Sequence, residues 1–429
     1  MRLAIVGSGI AGLSCAHVLG PRHDVTVFEA DSRLGGHSNT VTVDDPVEGP
    51  VSVDTGFIVH NDRNYPNLSR LLTELSIPVQ DAEMSFGVTD RGFGGEGAVF
   101  TYSATSLGTL FADRRNLTRP AMWRMLADIV RFYRSANGLL DMHDADPSSV
   151  DDRESLADFL SAGRYSPAFV DLHLVPMGAS VWSADPASFD AFPAISLFRF
   201  LRNHGLLSFR NRPQWRTIVG GSHTYVDAIA ERFTGTLHLG TPVLGVTRDS
   251  GGVRVRTGSG SEQFDKVILA CHSDQALRML DDATVAEKEV LGAIAYQPNL
   301  ATLHTDTSVL SPIRGAWAAW NYECPRPGLD PEGVATLTYD MTALQQLPGS
   351  RRYLVSLNSD HRIEPGSVID SFTYSHPVFD GLAIAAQRRF DEIDGAAGTH
   401  FCGAYWGYGF HEDGITSALR VCERLGVSW

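Results

Sequence analysis

Lysine is almost missing from this chain. Only two of its 35 basic residues are lysines, Lys266 and Lys288, so chemistry that needs a lysine amine has two places to occur. Cysteine is sparse as well. The five residues Cys15, Cys271, Cys324, Cys402 and Cys422 form no C-x-x-C pair and no metal-ligand spacing. That argues against a bound metal and a disulfide framework, and it fits reduced thiols in a cytoplasmic protein. No uninterrupted apolar run approaches the roughly 20 residues a membrane span needs. There is no internal repeat and no low-complexity tract. Positive charge is in deficit: 35 Lys and Arg stand against 50 Asp and Glu, a formal charge of −15, which argues against nucleic acid as a partner.

What the chain does have begins at once. Leu3 to Val6 is a short apolar run, and Gly7, Gly9 and Gly12 follow it at G-x-G-x-x-G spacing. An Ala/Leu-rich helix to Leu19 and a second apolar strand, Val25 to Phe28, come next, and that strand ends on Glu29. The first glycine permits the tight turn, the second lets backbone approach a pyrophosphate, and the third lets helix pack on strand. The unpaired N–H groups of the helix then face the phosphates, and Glu29 stands where a carboxylate accepts from ribose hydroxyls. Arg2 before an apolar stretch could be mistaken for a signal peptide, but a fold-forming βα unit accounts for it better.

At 429 residues two domains are expected. Asp54-Thr55-Gly56 with Phe57-Ile58-Val59 reads as a strand returning to the nucleotide domain, and Tyr65-Pro66-Asn67 leads into an amphipathic helix. Arg91 to Gly97 reads as a glycine-rich hairpin tip. Ser106 to Leu207 is helical in period, with a core stripe of Met122, Met125, Leu126, Ile129, Val130 and Tyr133. After Arg216 the pattern turns to strands: Gly220-Gly221-Ser222 before a helix, a hairpin over Val243 to Thr257, a buried strand at Val267 to Ala270, and alternating runs from 296 to 384. The layout is a nucleotide domain in three pieces, 1–85, 205–275 and 385–429, with 86–204 and 276–384 forming a substrate-binding domain.

The closing stretch, Phe401-Cys402-Gly403 through Gly407 and Gly409 to Glu412-Asp413-Gly414, places a helix N-terminus behind a glycine loop. Such an end stabilises negative charge, as on the N1–C2=O edge of a reduced flavin. These motifs, with Arg33-Leu34-Gly35-Gly36, Asp54-Thr55-Gly56 and Gly220-Gly221, resemble the flavin-containing amine oxidase superfamily over nearly the whole length. Gly36-His37, Tyr374-Ser375-His376-Pro377 and Gly409-Phe410-His411-Glu412-Asp413-Gly414 are similar to a bacterial subgroup of predicted NAD/FAD-binding proteins, itself similar to flavin desaturases of modified fatty acyl chains. The fold class implied is α/β: an FAD-binding Rossmann-like, doubly wound domain of amine oxidase type with an inserted α+β substrate domain. By the same resemblance Gly7, Gly9, Gly12, Glu29, Arg33 and Gly36 hold the ADP half of FAD, Val243 presents backbone to the adenine, and Phe410, His411, Glu412, Asp413 and Gly414 meet the isoalloxazine. His37, expected to bond the pyrophosphate, and Asp54, Gly56 and Gly403 complete the candidate cofactor-binding set. A single dinucleotide fingerprint favours FAD over NAD.

The chain also departs from that superfamily. His37 stands where amine oxidases place Arg, and Asn299 to His304 lacks the lysine that in them holds a water at flavin N5. His411 falls near the position of an aromatic cage residue. These losses favour a dehydrogenase or desaturase of a lipid or fatty acyl chain, with hydride transfer to flavin N5. A flavin-dependent amine oxidase, a redox-neutral isomerase of unsaturated fatty acids and a non-enzymatic flavin-binding assembly protein stay open as alternatives. His411 and His376 are the candidates for proton handling. Trp182, Phe198, Phe200, Phe209, Trp215, Trp317, Trp320 and Tyr322 are more aromatics than a small-amine pocket requires. Two basic stretches, Asp113 to Arg134 and Leu197 to Arg216, raise the expectation of peripheral contact with the inner face of a membrane, against the plain alternative of arginines paired with acids elsewhere.

Overall fold

The computed structural model describes residues 1–93, 95, 98–151, 153–183, 185–326, 328, 330 and 334–429. Strand β1 (Arg2–Val6), helix α1 (Ile10–Leu19) and strand β2 (Asp24–Phe28) form where the apolar runs and glycine turn predict them. β1 is central in a five-stranded sheet in the order Thr399–Phe401, Lys266–Leu269, β1, β2, Thr236–His238, with every neighbouring pair parallel. All but the edge strand Thr236–His238 are buried on both faces, as a parallel sheet flanked by helices must be. Val6, Phe28, His238, Leu269 and Phe401 therefore end at one edge, the edge at which such sheets bind ligands.

A second, seven-stranded sheet runs Val368–Pro377, Tyr296–His304, Leu354–Leu357, Leu337–Asp340, Trp320–Glu323, Phe86–Asp90, Phe100–Ser103. Its pairs are antiparallel except Trp320–Glu323 with Phe86–Asp90. One large apolar cluster joins this sheet to the helices Pro120–Ala145 and Ala194–Asn203.

Three details differ from the sequence reading. The strand at Asp54 does not continue through Val59: strands β3 (Thr40–Asp45) and β4 (Gly49–Asp54) form a hairpin, and the chain then leaves it. The reason is a close approach. A Cβ on Gly56 would lie 2.2 Å from the His37 carbonyl, and Phe57 N–H donates to that carbonyl at 2.8 Å, so this segment packs on a loop and not in a sheet. The hairpin over Val243 to Thr257 gains a third strand, Gly260–Phe264. In the 120–145 helix, Met122, Met125, Ile129 and Tyr133 are buried, but Val130 is 37% exposed because its position on the wheel falls outside the stripe they make. The hairpin tip read at Arg91 to Gly97 lies partly outside the described residues, between the paired strands Phe86–Asp90 and Phe100–Ser103.

Several histidines are buried or half-buried. Burial lowers His60, His173, His204, His304 and His376 to about 4 and His411 to about 3. Below their ordinary value near 6.5 the unfolded chain takes up protons that the folded chain refuses, so stability falls as pH drops from about 6.5 towards 4. Asp54 and Asp413, raised by burial to about 6, act in the opposite direction and offset part of this. The expected outcome is a melting temperature lower by roughly 10 °C at pH 5 than at pH 7, measured at saturating FAD. A melting temperature unchanged over that range would show that these imidazoles ionise freely in the fold.

Candidate active site

The site starts at the β1–α1 turn. Gly7 has φ +102, and a Cβ there would lie 2.7 Å from the Ala270 carbonyl of the neighbouring strand. A Cβ on Gly12 would come within 2.0 Å of the Gly7 carbonyl, so α1 sits directly on backbone. Gly9 is different: nothing lies within 4 Å of its ideal Cβ, and it caps α1 with no side-chain partner for the first-turn N–H groups. Open space beside unsatisfied donors fits a pyrophosphate. Glu29 ends β2 and accepts from Ser8 N at 2.8 Å, Ser8 Oγ at 2.6 Å and Asp31 N at 2.9 Å, which fixes the carboxylate at the sheet edge. Val243 opens its strand against the apolar cluster that contains Phe28 and Phe264.

The loop after β2 is the hinge of the arrangement. Arg33 donates to the Gly36 carbonyl at 2.8 Å, so its guanidinium shapes the turn. Gly36, at φ +56, places its Cβ direction 3.2 Å from the Gly9 Cα. The next two residues then serve two walls. His37 lies 5.0 Å from Tyr374, 5.5 Å from His376 and 5.9 Å from His272, ring centre to ring centre, and burial and the neighbouring imidazoles hold it well below the usual histidine range. Ser38 Oγ lies 2.9 Å from His411 Nε2 and also bonds the Tyr225 hydroxyl. His411 is stacked on Phe57 with ring centres 3.7 Å apart.

His376 carries its own orienting pair. Asn299 Nδ2 donates to His376 Nδ1 at 3.0 Å, and Asn299 Oδ1 accepts from Asn358 Nδ2 at 2.8 Å. With Nδ1 an acceptor, the ring proton sits on Nε2, and His376 presents a donor.

The C-terminal motif closes the site from the other side. A Cβ on Gly414 would meet Ile10 at 2.8 Å, so helix His411–Arg424 starts where α1 starts and the two N-termini reinforce each other's positive end. Gly403 N–H donates to Ser417 Oγ, and Asp413 accepts from Phe410 N at 2.9 Å as that helix's cap. Phe410 stacks on Phe200 at 5.2 Å, beside His204, with Trp182 Nε1 donating to the Tyr408 carbonyl. Two predicted residues are committed elsewhere. Glu412 accepts from Asn67 N and Leu68 N and so caps helix α2 (Pro66–Glu74), and Asp54 accepts from Thr40, Ser222 and Gln345, fastening β3 and β4 to helix His223–Arg232.

Of the aromatics singled out from sequence, Trp182 and Phe200 reach this wall, Phe198 packs in the core against Phe132 and Phe159, and Phe209 is at the surface. Asn299, Ser38, Phe57 and Tyr225 were not picked out from sequence. Ser38 could have been found from its place directly after Gly36-His37, but the others only from the fold. His60 belongs with them: it is 1% exposed, its Nδ1 has no partner, and its charge would act on His411. Neither lysine is near. Lys266 opens its strand at the opposite sheet edge and Lys288 is exposed on helix Val285–Gly292. A cavity of about 280 Å³ lined by Asp90, Asp171, Tyr322 and Cys324 contains none of the predicted site residues.

The contrast between two glycines is testable. Gly9→Val fills open space at a φ of −65 that any residue adopts, so the protein should fold with an unchanged apo melting temperature but emerge colourless. Gly12→Val should fail to accumulate as folded protein. A yellow Gly9→Val protein with stoichiometric FAD would rule out the pyrophosphate position assigned to it.

Comparison with known proteins agrees with this geometry. The model of the flavin containing amine oxidoreductase family matches residues 10–351. The L-amino-acid oxidase of Demansia vestigiata is 24% identical over 303 residues, 65% of this chain and 52% of that protein, so the chain spans about half the length of this curated relative. Cyclohexylamine oxidase from Brevibacterium oxydans IH-35A superposes with a TM-score of 0.68 at 16% identity over 99% of each chain. The CLA-producing fatty acid isomerase from P. acnes gives 0.68 at 15% identity, over 99% of this chain and 98% of that one. At such identities these structures share the fold. The family match over residues 10–351, most of the length, shows that the chain belongs to the flavin containing amine oxidoreductase family, with FAD as its cofactor.

Proposed function

We propose that this oxidoreductase is a dehydrogenase or desaturase of a lipid or fatty acyl chain. The observation that carries the reading is Asn299. It stands in the strand where amine oxidases of this family carry a lysine, and it is locked between His376 and Asn358. FAD, when bound, would supply the acceptor for a hydride, and turnover would need an outside electron acceptor. The chain's own contribution is to place a carbon against it and to keep water away. Phe200, Phe410, Tyr408 and Trp182 form an aromatic wall suited to an apolar chain. His376 Nε2–H is available to orient a polar group of the substrate. His411, held in place by Ser38 and the Tyr225 hydroxyl, is the candidate to accept the proton that leaves the substrate with the hydride.

Amine oxidation is the second reading, because the relative from Demansia vestigiata and several structural neighbours are amine or amino-acid oxidases by name. The division into an FAD-binding domain and a substrate-binding domain, with the boundaries given above, belongs to the same proposal.

Anaerobic mixing separates the two. Long-chain acyl substrates, unsaturated or branched, should bleach the flavin, while primary amines, polyamines and L-amino acids should leave it oxidised. Rapid bleaching by a simple amine would reverse the ranking. His411→Phe keeps a ring on Phe57 and removes the bond to Ser38. It should retain FAD but slow substrate-driven flavin reduction at least about tenfold, the lower end of losses on removing a proton-handling group. Reduction at the wild-type rate would assign His411 to packing alone.

A further inference from the structure

The two basic stretches separate into different fates. Arg199 and Arg202 bridge to Asp144, with Arg202 also on Asp141, while Arg115 and Arg119 hold Asp113 and Arg131 holds Asp128. Arg216 faces Asp62 and Asp81. These arginines are neutralised by the protein and are not offered to a partner. Arg124, Arg134 and Arg210 are exposed, and none has a carboxylate within 4 Å among the described residues. From Arg114 to Leu140 the only acid is Asp128, which is buried and already bonded to Ser166 and Arg131.

Large apolar side chains lie exposed among these arginines. Trp123 is 52% exposed, Val130 37%, Leu117 51% and Phe209 63%. Trp123, Val130 and Arg134 share one face of the 120–145 helix, at i, i+7 and i+11. Trp123 Nε1 donates to the Leu117 carbonyl, and Phe209 lies 4.9 Å from Tyr133 on the same helix, so the four apolar groups are contiguous with it. The helix has 26 residues, about 39 Å of continuous surface.

We propose that the outer face of the helix from residue 120 to 140, with the 205–212 loop beside it, is a docking surface for an anionic lipid bilayer. Charge complementarity selects this occupant. A protein with a formal charge of −15 repels an anionic bilayer everywhere except where unpaired arginines outnumber acids. Here they also surround a tryptophan and a phenylalanine, the groups that settle at the headgroup boundary of an interfacial helix. The Ala194–Asn203 helix connects the two regions: its Phe200 packs on Phe410 at the site, and the 205–212 loop follows it to the surface. The docking proposal stands apart from the acyl-substrate reading, because it is read by partition and not by turnover.

The test uses the FAD-loaded protein and vesicles of equimolar phosphatidylglycerol and phosphatidylcholine, against pure phosphatidylcholine. Cosedimentation with the anionic vesicles should be strong at about 0.01 M salt and weaken at about 0.15 M, as screening shortens the reach of the arginines. The triple change Arg124→Glu, Arg134→Glu and Arg210→Glu should lower partition at least about 100-fold. A control triple of exposed arginines elsewhere, Arg22→Glu, Arg254→Glu and Arg351→Glu, should lower it far less. Brominated lipid should quench tryptophan emission in the wild type and do so less in Trp123→Phe. Wild-type protein left in the supernatant at low salt, or equal losses in the two triples, would overturn the proposal, as would quenching unchanged in Trp123→Phe.

Discussion

Backbone touching backbone is the constraint on which this molecule rests. At the β1–α1 turn, Gly12 lies on the Gly7 carbonyl, Gly7 on Ala270, and Gly36 on Gly9, with no side chain between them. Gly414 brings a fourth segment in against the Ile10 side chain. Four segments distant in sequence therefore meet at van der Waals distance around one empty place beside Gly9. Two helix N-termini point into that neighbourhood, and the favourable charge there is anionic. The open place is a by-product of this packing: of Gly7, Gly9 and Gly12, only Gly9 has a free Cβ direction.

The chemistry is arranged by the adjacent pair His37 and Ser38. One side chain turns towards His376, Tyr374 and His272, the other towards His411 and Tyr225. Imidazoles that burial keeps neutral suit a site that handles uncharged carbon chains, since a fixed charge there would have to be stripped of water before each turnover. The hydrogen-bonded Asn299 adds direction without charge.

Much of the fold was legible because short-range rules governed it. The glycine spacing, the apolar strands and the terminal glycine-helix motif each carry their geometry locally, and each formed where predicted. Phe57 to Val59 misled because an apolar triplet reads as a strand, whereas the Gly56–His37 contact that pulls it away is visible only in three dimensions. Val130 misled for a related reason, since a hydrophobic residue at a stripe's margin can face either way. Asn299 and Tyr225 had no local signature, and their roles come from strand register and helix packing. The arginine stretches were visible as composition, but which arginines are free depended on acids such as Asp144 on a different helix.

The Glu412 cap on α2 has a consequence for biosynthesis. α2 is made early, yet the carboxylate that satisfies its first N–H groups arrives with residue 412, and the outer strand Thr399–Phe401 arrives with it. While the ribosome is still translating the middle of the message, β1 has one sheet edge bare and the nucleotide cradle lacks a wall. The sheet and the cap on α2 are complete only after residues 399–424 have emerged, so a chain short of that point holds apolar surface exposed.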